Sequence, residues 1–535
     1  MAKCNEIISK HLETNSHCAF CGISASSKCA ACTLVVYCSK EHQKAHWKQH
    51  KNECVSYELQ IDSIVGRHLI AKRTINPSDI IIQEEPLVIG PKFPTSEPIC
   101  IKCLQRLKRS ESIVESLCEK CLWPICGAGC VVTSINQNTH EGECKVLMKG
   151  SEKIAQNNDY MYDALTPLKC LLLQFTDKNK WNRLMELKSH IEYRGPGSEV
   201  YEEINSVYNY LRNNYLSGEF ETPSDLIHKI CGILDVNALD VQVAGLELTA
   251  IYPTVSKLEH NCLPNTGISF DACGRIYVYA FRKIVKGEHI TSMYTNALWG
   301  TRERRAHLFS TKYFKCKCKR CSDATELGTH FSTIVCNVKD FCKGNLTPIH
   351  PLDDSSEWEC DRCPTTVSSD KIDTILTELN YIVDKALRNP SINSLEDAIS
   401  KLKTRVHSNH YLCFNLKHTL IQLYGHSMGY KHSMLTDDLL KRKSELCREM
   451  FFVLNIIDPL YTRLNIYTSV ILFELHLALL ESATRISENK AESKGMYDEA
   501  KVLLSKALDI LKNEPEGSPG FKLLQAYKPS IITLK

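Results

Sequence analysis

The sequence lacks a long hydrophobic run. Its most apolar stretch, Val470 to Leu480, is short and carries Glu474 and His476, so it reads as a buried helix and not as a membrane span. The opening residues, Met1-Ala2-Lys3-Cys4-Asn5-Glu6, contain no apolar segment of the secretory kind. An excess of charge of one sign is missing too. Lys and Arg number 65 against 62 Asp and Glu, for a formal net charge of +3. That is too small to imply a nucleic-acid polymer as the main partner. The expected setting has no membrane, little or no direct nucleic-acid binding, and a home in the nucleus and cytoplasm. Disulfides are rare in such reducing compartments.

What the sequence has in abundance is cysteine, 27 in 535 residues. The length suggests several domains, and an apolar share of 43% is enough to build cores. The cysteines are clustered: 21 of them fall within 18–54, 100–144, position 262 with 316–321, and 336–363. Cys4, Cys170, Cys231, Cys273, Cys413 and Cys447 are scattered and read as small buried hydrophobes.

The first cluster is Cys18-x2-Cys21, Cys29-x2-Cys32, Cys38-x3-His42 and His50-x3-Cys54. A Cys-x2-Cys knuckle covers one edge of a zinc tetrahedron and needs a second pair to complete it. Two ions fit if the pairs interleave: Cys18, Cys21, Cys38 and His42 on one, Cys29, Cys32, His50 and Cys54 on the other. His46 is surplus and is expected on a helix surface. The second cluster repeats the grammar with Cys100, Cys103, Cys118, Cys121, Cys126, Cys130, His140 and Cys144. It reads as a second module with two zincs, or as one zinc with spare thiols. In the third, Phe314-x-Cys316-x-Cys318-x2-Cys321 offers only three thiols where a structural site takes four, and Cys262 is the natural fourth. The last, Cys336-x5-Cys342 and Cys360-x2-Cys363, reads as a zinc ribbon. About six zinc ions are expected in all.

Between the clusters, Ile64–Ala71 and Ile75–Val88 read as two strands joined by the turn Asn76-Pro77-Ser78-Asp79. Another strand is expected over Arg275 to Phe281, and a further one at Ile290–Tyr294. Segment 302–320 holds eight Lys and Arg against the single acid Glu303. It suits either an acidic ligand or a solvated basic helix. Beyond residue 371 apolar residues recur at helical spacing, with breaks at Asn389-Pro390, Gly425, Asp458-Pro459 and Pro515–Gly520. Paired helices with short turns read as a TPR-like array.

The run from Tyr37-Cys38-Ser39-Lys40-Glu41-His42 through Trp47, His50 and Cys54 resembles the MYND zinc finger, with His42 where that family usually has cysteine. Gly66, His260-x-Cys262-x-Pro264-Asn265, Gly287-Glu288-x-Ile290-Thr291-x2-Tyr294 and the Cys316–Cys321 cluster together resemble a SET domain with its post-SET zinc. The whole is similar to the SMYD family, in particular its arthropod SmydA-like branch. Leu184-x2-Leu187-x-Ser189-His190, Cys231-Gly232-Ile233-Leu234, Tyr252-Pro253 and Asp458-Pro459-Leu460-Tyr461-Thr462-Arg463-Leu464 carry the resemblance across the rest of the chain.

The fold class implied is multidomain α+β. A MYND finger spans 18–54, and the first part of a mostly-β SET domain 60–99. A second MYND-like module spans 100–144, a helical insert 145–230, the SET core 231–299 and the post-SET segment 300–322. The ribbon covers 336–363 and the helical TPR-like domain 371–535. The function implied is transfer of methyl from S-adenosylmethionine to lysine of a histone or another protein, in transcriptional regulation. The alternative is an inactive SET/MYND adaptor that recruits corepressors. By resemblance Tyr294 is the catalytic tyrosine, Gly66, Arg67, Asn237, Glu259, His260 and Phe314 hold cofactor-contact positions, and the finger docks proline-containing peptides. Three positions depart from the family pattern: His68 replaces a glycine, Glu259 an asparagine, and Lys312 a tyrosine near the lysine channel.

Overall fold

The computed structural model describes residues 16–51, 54–92, 99–107, 116–127, 139–243, 246–271, 273–337, 342–486, 490–512, 514 and 518–530. It opens with a small finger. Strands β1 (Ser27–Lys28) and β2 (Val36–Tyr37) pair antiparallel, and helix α1 (Lys40–His50) follows. Ser39 caps α1 by accepting from the His42 amide, as an N-cap serine should.

The central body consists of three short sheets. Strands β3 (Tyr57–Asp62), β4 (Gly66–Ala71), β12 (His289–Ser292) and β9 (Glu259–His260) form one, in that order. Strand β5 (Ile80–Glu84) joins β10 (Thr266–Phe270) and β11 (Ile276–Ala280) in the second. The third is β6 (Val88–Pro91), β8 (Leu246–Ile251) and β7 (Leu239–Val243). The β3–β4 hairpin turns where Asp62 accepts from the amides of Ile64 and Val65, both at 2.8 Å. Gly66 then takes φ +74°, a backbone state that costs glycine nothing.

Two sequence expectations change here. The stretch 64–88 is not one hairpin: the turn at Asn76–Asp79 exists, but it delivers β4 and β5 to different sheets. Strand β3 was not foreseen. It is an edge strand with mostly exposed side chains, so the alternation that marks a half-buried strand is absent.

Helices fill the interval before β7, including α2 (Thr139–Leu147), α3 (Leu165–Thr176), α4 (Glu199–Asn214) and α5 (Ser224–Asn237). Since α5 begins at Ser224, the expected boundary at 230/231 falls inside a helix. After β12 come α6 (Thr301–Lys312) and a four-stranded antiparallel ribbon, β13 (Ile334–Val335), β14 (Asn345–Pro348), β15 (Trp358–Cys360) and β16 (Thr366–Val367).

The C-terminal part is helical: α7 (Ser369–Arg388), α8 (Ile392–Lys403), α9 (Tyr411–His426), α10 (Asp437–Ile457), α11 (Asn465–Arg485), α12 (Lys490–Leu511) and α13 (Pro519–Tyr527). Consecutive helices pack against one another. The break expected over 515–520 falls between α12 and α13, its residues 515–517 lying outside the described ones; Ser518 caps α13 and Pro519 sits at its first turn, where a missing N–H is harmless. Helix α11 alone is long and apolar enough to cross a membrane among the described residues, yet most of it is buried in the fold.

One apolar core runs from Leu69 to Ile290. A second joins Ala297, Leu298, Phe331, Ile334 and Trp358 to the C-terminal helices. The helical part therefore shares a core with the segment that follows β12.

Candidate functional site

Among the described residues, sets of cysteine and histidine converge, the following five among them. In each, the ligand atoms lie within 4.8 Å of one another: Cys18, Cys21, Cys38 and His42; Cys29, Cys32, His50 and Cys54; Cys118, Cys121, His140 and Cys144; Cys262, Cys316, Cys318 and Cys321; Cys336, Cys342, Cys360 and Cys363. A tetrahedron with Zn–S bonds of about 2.3 Å has edges of about 3.8 Å. The sulfurs of Cys21 and Cys38 are 3.6 Å apart, those of Cys29 and Cys54 3.6 Å, Cys262 and Cys321 3.5 Å, and Cys336 and Cys363 3.8 Å. These donor sets fit zinc. The pairs of the first finger interleave as the spacing implied. Cys103 and Cys126 approach to 3.5 Å; Cys130, expected to complete a further site with them and Cys100, lies outside the described residues. Among the scattered cysteines, Cys170, Cys231, Cys413 and Cys447 are buried, whereas Cys273 is partly exposed, against expectation. Cys4 lies outside the described residues. His46 is partly buried on α1 and pairs with the Tyr37 hydroxyl at 3.0 Å.

The segment after β12 is tied to the zinc cluster of Cys262. The Tyr294 amide donates to His260 Nδ1 at 3.0 Å, and His260 Nε2 lies 3.4 Å from Cys262 Sγ. Because Nδ1 accepts, the ring proton sits on Nε2 and points at the thiolate. This is the outer-sphere contact that orients a metal ligand. The Tyr294 hydroxyl donates to the Leu258 carbonyl. Burial, and then the Glu259 carboxylate, push its phenol well above the usual range, so it stays protonated. The rings of Tyr294 and Phe314 flank His260 at 5.4 and 5.9 Å between centroids. Strand β9 runs parallel to β12 with Thr291 opposite Glu259. Asn265 locks this crossing through Thr291 and the His289 carbonyl, at 2.8 and 2.7 Å.

The other expected cofactor positions are held by separate partners. Glu259 pairs with His289 Nδ1 at 2.5 Å, and His289 stacks on the buried His68 ring, centroids 4.4 Å apart. His68 begins two residues after Gly66, above whose Cα there is open space. Arg67 reaches the Glu186 carbonyl at 2.5 Å. The Asn237 side chain bonds to the carbonyls of Lys188 and Ile233 at 2.8 and 2.9 Å, and its own carbonyl faces Ser256. Lys312 donates to the Val236 carbonyl at 2.6 Å, at the C-terminus of α5, where a cation is favoured by the helix dipole. Two of the departures, His68 and Glu259, are thus joined through His289, which nothing in its local sequence marked. Lys312 is a helix cap.

The basic run of 302–320 divides: Lys315, Lys317 and Lys319 are exposed, whereas three of its arginines turn inward and are already paired. Arg304, Arg305 and Arg320 are buried. Arg304 and Arg320 share Glu326 at 2.8 and 2.9 Å, and Arg304 also reaches Cys321 Sγ at 3.6 Å. Burial acts to raise the Glu326 carboxyl, but the two guanidiniums outweigh it and hold the group down at about 2.

Comparison with known proteins agrees with this geometry. Residues 18–54 match the MYND finger and residues 66–295 the SET domain. The SET domain-containing protein SmydA-8, isoform A, of Drosophila melanogaster is 26% identical over 327 residues, 59% of this chain and 67% of that protein. The human histone-lysine N-methyltransferase SMYD3 is 23% identical over 276 residues, 48% of this chain and 59% of its own.

The chain carries a MYND finger and a SET domain and is similar to the SMYD family.

The histone-lysine N-methyltransferase ASHR1 of Arabidopsis thaliana is 25% identical over 432 residues, 74% of this chain and 80% of that one. Strands β4 to β12 lie within the residues that match the SET domain, and Cys262 lies within them too, while Cys316, Cys318, Cys321 and α6 follow them.

Proposed function

We propose that this protein is an S-adenosylmethionine-dependent protein-lysine N-methyltransferase, acting on a histone or another protein in transcriptional regulation. The observation that carries the reading is the half-buried, protonated Tyr294. It is anchored to the Cys262 cluster through His260 and walled by Phe314, with Glu259 on the neighbouring strand.

Bound there, S-adenosylmethionine supplies a methyl group on an electrophilic sulfonium. The chain's own residues supply the setting. A free lysine has a pKa near about 10.4 and must lose its proton before it can react. Packing by Tyr294, His260 and Phe314 excludes water and favours the neutral amine. Positioning amine and methyl in line accounts for most of the remaining acceleration. The Tyr294 hydroxyl and the Leu258 carbonyl are the polar groups available to orient them. The His289 ring engages the Glu259 carboxylate, which would otherwise face the cofactor's carboxylate unpartnered. Gly66, Arg67, Asn237, Glu259, His260 and Phe314 are the proposed cofactor contacts, and the zincs, about six, are structural.

On the finger, Phe20, Ile23 and Trp47 are exposed at 51%, 58% and 43%, which supports docking of proline-containing peptides. Thiolates that hold zinc require a reducing compartment, in keeping with residence in the nucleus and cytoplasm.

Isothermal titration of zinc-replete protein with S-adenosylmethionine tests the reading directly. Binding is expected, with the Tyr294→Phe variant binding equally but losing about 10- to 100-fold in turnover. Absence of binding would leave the family's adaptor role and remove the enzyme.

A further inference from the structure

The loop Asp458–Leu464, between α10 and α11, has no part in the site described so far. Asp458 organises it. One carboxylate oxygen accepts from the amides of Arg463 and Leu464 at 3.0 and 2.8 Å, and the other from Thr462 Oγ1 at 3.3 Å. Tyr461 takes φ +52°, a state that costs a non-glycine residue energy, and its ring stacks on Phe451. The loop is held in one shape, and that shape delivers the Arg463 side chain, 17% exposed, away from its own domain.

The guanidinium bridges two domains. One terminal nitrogen donates to the Ile457 carbonyl at the end of α10. The other donates to the Cys262 carbonyl at 3.2 Å and lies 2.7 Å from Met293 Sδ. Asp458 faces it at 3.5 Å. A planar fork with fixed donors suits this double attachment; an ammonium could not reproduce it. The two residues it grips flank the tyrosine. Met293 precedes Tyr294 in the chain, and Cys262 is bonded to the His260 ring that accepts from the Tyr294 amide.

We propose that Arg463 is a positioning residue through which the C-terminal helical domain holds the Cys262 and Met293 segments, and with them the Tyr294 side chain, in their working geometry. The kinetic part of this inference rests on the methyl-transfer reading; the structural part does not. Helical repeats that shift on binding a partner would pull on the site through this fork.

The test uses the full, zinc-replete chain as wild type, Arg463→Met and Arg463→Lys, with Arg302→Met as control. Arg302 bonds only to Asp373 and Ser369 across the same domain boundary. Hydrogen–deuterium exchange read by mass spectrometry should show peptides covering 258–264 and 290–296 exchanging about tenfold faster in Arg463→Met. Helices α10 and α11 should be unchanged. Arg463→Lys, which keeps the charge and loses the fork, should fall between. Turnover should drop about 10- to 100-fold with KM for S-adenosylmethionine within about twofold, and Arg302→Met should change neither reading. Unchanged exchange in both peptides overturns the inference, as does loosening of the whole helical domain alongside them. Should Arg463→Met not fold, Arg463→Lys carries the same readings. If the wild type transfers no methyl group, the enzyme reading falls and the exchange comparison still decides this one.

Discussion

At the scale of single residues, charges in this protein are placed by what surrounds them and not by local composition. Glu326 is 1% exposed between Arg304 and Arg320, both fully buried. Its carboxyl is lowered from 4.5 to about 2. A depressed carboxylate contributes stability that is complete above its unfolded value and is lost as pH falls from about 4.5 to about 2. Glu326→Gln leaves two buried cations short of a partner, and a loss of about 3–5 kcal/mol is expected. Measured by urea unfolding, the gap to wild type should be the same at pH 8 and pH 5, since both lie above that window. The residues proposed to carry chemistry were largely legible: Tyr294, His260 and the ligand cysteines stand in motifs with fixed spacing. His289 and Arg463 were not. Each acts on residues distant in sequence, Glu259 and Cys262, and although both fall within segments that carry the family resemblance, nothing local showed what either would touch. The arginines of 302–320 were misjudged because a basic run reads the same whether it faces water or buries against one glutamate.

At the scale of elements, zinc does what apolar burial cannot. The finger's own apolar cluster is little more than Cys18, Cys29, Tyr37 and Cys54, and the Cys262 cluster adds only Leu308 to its buried cysteines. Such pieces gain about 10–16 kcal/mol of apparent folding energy from each structural zinc. Cys316→Ser should therefore lose about one zinc per chain by elemental analysis. It should abolish methyl transfer, since the chain that carries Cys262 also carries His260, while the finger's zincs are retained. Loss of zinc from the finger instead would refute the assignment of Cys316 to the Cys262 site. Cysteine spacing made these elements readable; edge strand β3 and helix α13 escaped, the first for want of alternation, the second because a proline near a glycine signals a break as readily as a helix start.

At the scale of the whole molecule, the helical domain shares its core with the segment that follows the SET strands. Ala297, Leu298, Phe331 and Ile334 share a core with Leu395, Leu412 and Phe414 of the helices, and Tyr411 bonds to Glu303 of α6. A chain ending at residue 368 would expose that apolar face. It is expected to aggregate or bind hydrophobic dye, and to elute in the void volume in size-exclusion chromatography, where the full chain elutes as a discrete species. A soluble, zinc-loaded and discrete 1–368 would show that the shared core is dispensable.

By itself the sequence determined the zinc chemistry, the order of modules and the family resemblance, because ligand spacing and helical periodicity are local properties that survive without coordinates. Only the tertiary structure decided which charges are buried, that His289 answers Glu259, that Lys312 caps α5, and that a loop some 200 residues away grips the segment before Tyr294. Those depend on contacts between distant parts of the chain, and no local pattern encodes which distant residue will arrive.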